Sequence, residues 1–114
     1  MLDPEILRKQ PELIRANLEK RGDVGRIPVL ENAVRWDREW RDAQRELDAL
    51  RHRRNVITDE IRSLKAAGKD AGKKINEASE LPAKINALEV RAEGLRRDLR
   101  DAMLRLPNLL HESV

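Results

Sequence analysis

The chain contains no cysteine, no phenylalanine and no tyrosine, and its aromatic side chains are two tryptophans, Trp36 and Trp40. Without cysteine there is neither a disulfide nor a thiolate metal site. The two histidines, His52 and His111, stand far apart with no evident ligand partners, so no metal site is expected. Long apolar runs are missing too. Nothing approaches the ~20 residues that a membrane span needs. Met1-Leu2-Asp3-Pro4 does not begin a signal peptide, because no basic start leads into an apolar run. A cytoplasmic protein with no membrane partner is the expectation. There is also no Gly-rich phosphate loop, nucleophile elbow or His/Asp/Glu cluster at metal spacing. No catalytic residue is assigned, and the 114-residue chain alone is expected not to be an enzyme. The want of Phe and Tyr argues further against single-strand or RRM-type recognition, which stacks bases on aromatic rings.

What is present is charge and helical periodicity. Charged residues make up 39% of the chain, the profile of a long helix or coiled coil rather than of a globule with a deep core. One apolar seam runs Val29, Ala33, Trp36, Trp40, Ala43, Leu47, Leu50, Arg54, Ile57, Ile61, Leu64, in alternating steps of four and three with Arg54 as its one polar member. Such a repeat places a narrow stripe along one side of a long helix. After Gly68 and Gly72 a second seam follows: Ile75, Ala78, Leu81, Ile85, Leu88, Ala92, Leu95, Leu99, Ala102, Leu106. Two long helices joined by a short Gly-containing turn run antiparallel. Folding about residue 70 pairs positions whose numbers sum to about 140, so that Leu64 faces Ile75, Leu50 faces Leu88, Trp40 faces Leu99 and Trp36 meets Met103. Arg54 then faces Ile85, either as a register-setting residue with a buried stem or as a ligand contact.

The fold class expected is all-α: a long antiparallel two-helix coiled-coil hairpin with a short N-terminal helical base. Residues 1–28 form the base and a loop and 29–106 the coiled-coil arm with its tip at about 68–72, with residues 107–114 following it. In the base, Asp3 caps a helix opening on Pro4, and Gln10-Pro11 restarts it. Ile6, Leu7, Leu13, Ile14 and Leu18 give the base its apolar side, expected to pack near Trp36, Met103 and Leu106. Gly25 and Pro28 read as breakers of the loop that follows Gly22. The arm helices are expected at about Val29–Ala67 and Lys73–Leu106, with a kink or break at Pro82.

The net charge is only +3, but it is unevenly placed. From Ile61 to Asn76, five basic residues (Arg62, Lys65, Lys69, Lys73, Lys74) face one acid, Asp70, and Arg51-His52-Arg53-Arg54 lies just below. Basic residues along a rod suit a phosphate backbone, which they contact without reading bases. The candidate RNA-contacting residues are Arg51, Arg53, Arg54, Arg62, Lys65, Lys69, Lys73 and Lys74, with Asn55 and Thr58 as neutral hydrogen-bond donors. The two tryptophans read as core at the foot of the arm rather than as stacking platforms. Charge alone leaves a second class open, a structural or protein-interaction hairpin of the chaperone-tentacle or dimerising type.

The order of residues also resembles a family. Met1-Leu2-Asp3-Pro4, Leu7-Arg8, Pro11-Glu12 and Arg21-Gly22 resemble the opening of the seryl-tRNA synthetase N-terminal arm domain. Trp40-Arg41-Asp42-Ala43-Gln44, Leu50-Arg51, Arg53-Arg54-Asn55, Thr58 and Ile61 resemble its first arm helix, and Gly68-Lys69-Asp70-Ala71 its tip. Leu106-Pro107-Asn108-Leu109, His111 and Ser113-Val114 resemble the passage into its catalytic domain. The resemblance implies an arm that grips the long variable arm and elbow of serine-accepting tRNA through the sugar-phosphate backbone. It implies a parent serine–tRNA ligase, homodimeric and using ATP and magnesium in a catalytic domain beyond this chain. The 114-residue piece itself would be a cofactor-free monomer.

Overall fold

The computed structural model describes residues 2–107. Asn108, Leu109, His111, Ser113 and Val114, which carry part of the resemblance, and all of the 107–114 segment except Pro107 lie outside the described residues. Among the described residues the elements are α1 (Pro4–Lys9), α2 (Pro11–Lys20), a 3₁₀ turn (Val24–Arg26), α3 (Ile27–Ala66) and α4 (Gly72–Leu104), with no strand. Two long helices joined by a five-residue turn, 67–71, make the antiparallel hairpin that the two seams predict. The chain divides into two compact units, Met1–Arg41 with Glu93–Val114, and Asp42–Ala92.

The first unit is the base. Asp3 is the N-cap of α1, its Oδ1 accepting the Glu5 N–H at 2.9 Å, and proline opens both α1 and α2 where a missing N–H does no harm. α2 ends in a Schellman turn. Gly22 has φ +72°, the Asp23 N–H bonds the Leu18 carbonyl at 2.8 Å, and the Gly22 N–H bonds that of Glu19 at 3.0 Å. Leu2, Leu7, Ile14 and Leu18 are fully buried and join Leu30, Ala33, Leu99, Ala102, Met103 and Leu106 in one cluster, with Trp36 packed against it. Leu13 does not join them. It is 50% exposed, because it stands about 100° around the helix from Ile14, and Leu2 serves in its stead. Pro28 does not break the chain either: it lies in the first turn of α3, a position that tolerates proline.

One polar group is buried in the base. The Asp37 side chain is 3% exposed and lies between two arginines, Arg8 Nε at 3.0 and 3.2 Å and Arg41 Nε at 3.0 Å. A buried carboxylate persists only when its charge is met, and here the clasp ties α1 to α3.

The second unit is the hairpin proper. Leu47, Ile57, Leu81 and Ile85 form its buried core, with Leu50, Ile61, Ala78 and Leu88 packed against them. The turn at its end repeats the device that closes α2. Gly68 has φ +71°, the Lys69 N–H bonds the Leu64 carbonyl at 2.8 Å, and the Gly68 N–H bonds that of Lys65 at 3.1 Å. Asp70 Oδ1 then accepts the Gly72 N–H at 2.9 Å and starts α4.

One expectation fails in this unit and two are narrowed. Arg54 holds a seam position by spacing but is exposed, and fully buried Ile57 takes over the seam one turn later. Ile75 is 43% exposed, and Ala71 is buried at the turn instead. The consecutive three-residue steps Ile75–Ala78–Leu81 lag the helical period, so that Ile75 stands about a third of a turn from Leu81. Pro82 does not break α4, which is continuous from Gly72 to Leu104. It is exposed, so the Ala78 carbonyl that it leaves without an N–H partner can turn toward water.

Gly68→Ala puts a Cβ into the left-handed region and should cost about 1 kcal/mol. Gly94→Ala sits inside α4 with nothing within 4 Å of the new methyl and should add about 0.5–1 kcal/mol. Thermal melts followed by circular dichroism should move in opposite directions for the two. Asp37→Asn keeps the shape but removes the charge between Arg8 and Arg41. Denaturant titration should show a loss of about 2 kcal/mol, in the range for hydrogen bonds to charged groups.

Candidate nucleic-acid interface

The period of α3 sorts the candidate residues into two sets. Arg51, Arg54, Thr58, Arg62 and Lys65 are spaced 3, 4, 4 and 3 apart, so they form a stripe on one flank of the seam. Asn55 is exposed at the outer margin of that stripe. Arg53 projects on the other flank, where Glu60 lies seven residues on. Lys69 and Lys73 are exposed at the turn and at the start of α4, and Lys74 is half-buried behind it.

The flanks differ in how their charges are held. Arg53 reaches across to α4, with Nη2 at 2.8 Å and Nε at 2.9 Å from Glu77 Oε1, and its Nη1 lies 3.8 Å from Glu60. Lys74 Nζ stands 2.7 Å from Glu60 Oε2. These four groups carry two charges of each sign. On the stripe, Arg51 has only long contacts, 3.4 Å to Glu89 and 4.0 Å to Asp48, and Arg62 has one at 3.7 Å to Asp59. Arg54, Lys65, Lys69 and Lys73 have no acidic partner within 4.0 Å among the described residues. Exposed ion pairs of this kind add little stability, and a phosphate can displace them.

Thr58 is not the free donor that its position suggests. Its Oγ1 donates to the Arg54 carbonyl at 2.8 Å, the back-bond that a helical threonine makes to the preceding turn. Its oxygen can still accept. Glu60 and Glu77, which set the difference between the flanks, were not among the candidate residues. Their signal lies in the register, since an acid beside the seam faces a base on the partner helix. The Lys74 ammonium, first by its hydrogen bond and then by its charge, with Arg53 adding to it, holds the Glu60 carboxyl below its ordinary value of 4.5 against the opposing pull of desolvation.

The family model for the seryl-tRNA synthetase N-terminal domain matches residues 1–110. The chain belongs to this family. It is 40% identical over 114 residues to the serine–tRNA ligase of Methanoculleus marisnigri, covering all of this chain and 27% of that protein. It is 33% identical over 114 residues to that of Pyrococcus horikoshii, of which it covers 25%. The crystal structure of the P. horikoshii seryl-tRNA synthetase complexed with ATP superposes with a TM-score of 0.87 at 32% identity, over 95% of this chain and 24% of that one. The chain thus spans about a quarter of the length of these relatives. Among the described residues no three metal-ligating side chains come together. Nor is any helix of the described residues long and apolar enough to cross a membrane.

Because Glu60 is more acidic in the folded chain than in the unfolded one, its stabilising contribution is complete above the ordinary carboxylate value and is lost as pH falls through the folded one. Melting temperature should therefore drop on acidification below about pH 4.5, and the drop should be smaller in Glu60→Gln.

Proposed function

We propose that this chain is a tRNA-binding arm, one that grips serine-accepting tRNA at its long variable arm and elbow through the sugar-phosphate backbone. The observation that carries the reading is the stripe of Arg51, Arg54, Arg62 and Lys65, loosely paired or unpaired, on the hairpin of a chain that belongs to the seryl-tRNA synthetase N-terminal domain family. Guanidinium and ammonium groups at helical spacing contact successive phosphates and position a duplex without reading its sequence. The chemistry of a serine–tRNA ligase, with its ATP and magnesium, belongs to the length of the relatives that this chain does not span. The arm contributes no reacting group. Its role is to hold tRNA so that the acceptor end meets the active site, commonly the one on the other subunit of a homodimer.

An equilibrium titration tests this against serine tRNA, the same tRNA without its variable arm, and a short-variable-arm tRNA, at several salt concentrations. Binding should favour the intact serine tRNA, with a log–log salt slope near −3 to −4 if about four or five phosphates are neutralised. Equal binding to all three would describe a nonspecific basic rod. Binding to none would favour a protein-interaction hairpin.

A further inference from the structure

We propose that Glu60 and Glu77 choose the face of the arm: they hold Arg53 and Lys74 as cross-hairpin struts, so that RNA lies along the opposite flank, on Arg51, Arg54, Arg62 and Lys65. This rests on the reading of the chain as a tRNA-binding arm.

The two flanks differ in what a phosphate would meet. On the strut flank, Arg53 presents two nitrogens to Glu77 at 2.8 and 2.9 Å, and Lys74 lies 2.7 Å from Glu60. A phosphate that took either cation would strip a carboxylate of its partner and then sit beside it. That like-charge contact opposes binding, and the struts between α3 and α4 would be lost as well. Net charge over these four groups is zero, and over Arg51, Arg54, Arg62 and Lys65 with the acids that touch them, Asp48, Asp59 and Glu89, it is +1, so the flanks differ less in field than in which cations are already held.

On the stripe the terms reverse. Among the described residues Arg54 and Lys65 have no carboxylate to give up, and the contacts of Arg51 and Arg62 are 3.4–4.0 Å long. The α4 side of the same flank carries Ile75, Ser79, Pro82 and Asn86, all exposed and none charged, before Glu89. From Arg51 to Lys65 the stripe is about 21 Å long at ~1.5 Å per residue, enough for several phosphates of one strand. The acids therefore act on specificity by subtraction. They remove two cations from a site that composition alone would spread over the whole hairpin.

The test is a salt-dependent titration of a serine tRNA transcript with the full chain and three double variants. Arg54→Gln with Lys65→Gln should weaken binding about tenfold or more and flatten the salt slope by about 1.5. Arg53→Gln with Lys74→Gln should stay within about twofold. Glu60→Gln with Glu77→Gln should tighten binding about twofold or more as Arg53 and Lys74 open a second face to RNA. Equal weakening by the two cation pairs, or unchanged affinity in the Glu variant, overturns the assignment while leaving the arm a tRNA binder. If the unaltered chain binds no RNA, the arm reading itself fails and the inference falls with it.

A second measurement does not depend on the struts. The chain has no native cysteine, so Asn86→Cys on the stripe side and Lys84→Cys on the strut side can each carry one photo-crosslinker. Crosslinking to the tRNA should be severalfold greater from Asn86→Cys, and an equal or reversed yield refutes the proposal.

Discussion

Each long helix has one narrow apolar stripe, and among the described residues its one long partner is the other helix. Everything else about this protein is arranged around that pairing. With 39% of residues charged, neither helix could hold its shape in water on propensity alone, because helix stability in proteins comes chiefly from packing an amphipathic face. The pairing obliges the chain to reverse between Ala66 and Gly72, and the reversal obliges a residue that tolerates positive φ, which Gly68 supplies. It also divides the charged residues of the hairpin into two flanks that see different neighbours. The division into flanks follows from the seam.

The hairpin was legible because two signals constrain each other. Leu47, Ile57, Leu81 and Ile85 occupy the positions that the four-three spacing assigns, on both helices. The cap at Asp3 and the glycine stops follow from local chemistry and were equally open to reading. The spacing misled where a rule of nearest neighbours stood in for three-dimensional phase. Leu13 is apolar and sits between core residues in sequence, yet it lies on the wrong side of a helix that Pro11 restarts. Ile75 fell to the same error of phase.

The candidate contact residues were legible as a set and not as a geometry. All ten stand on the hairpin, but a list of cations cannot say which are occupied. Arg53 and Arg54 are adjacent in sequence and similar in chemistry. One is bound to Glu77 across the seam, and the other has no acidic partner among the described residues. The difference arises from residues more than twenty positions away, which only a register can bring near. The net charge of +3 conceals the same fact, since it counts held and free cations alike.

The antiparallel seam also governs how such a chain can change length over evolutionary time. A single residue inserted into one helix between turn and base would rotate everything beyond it by about 100°, carrying stripe residues off the seam and breaking register with the partner. Insertions survive when they come as whole heptads, and in pairs, one in each helix at matching heights. The length of the paired helices is thus adjustable only in discrete steps of about 10 Å, seven residues at ~1.5 Å each.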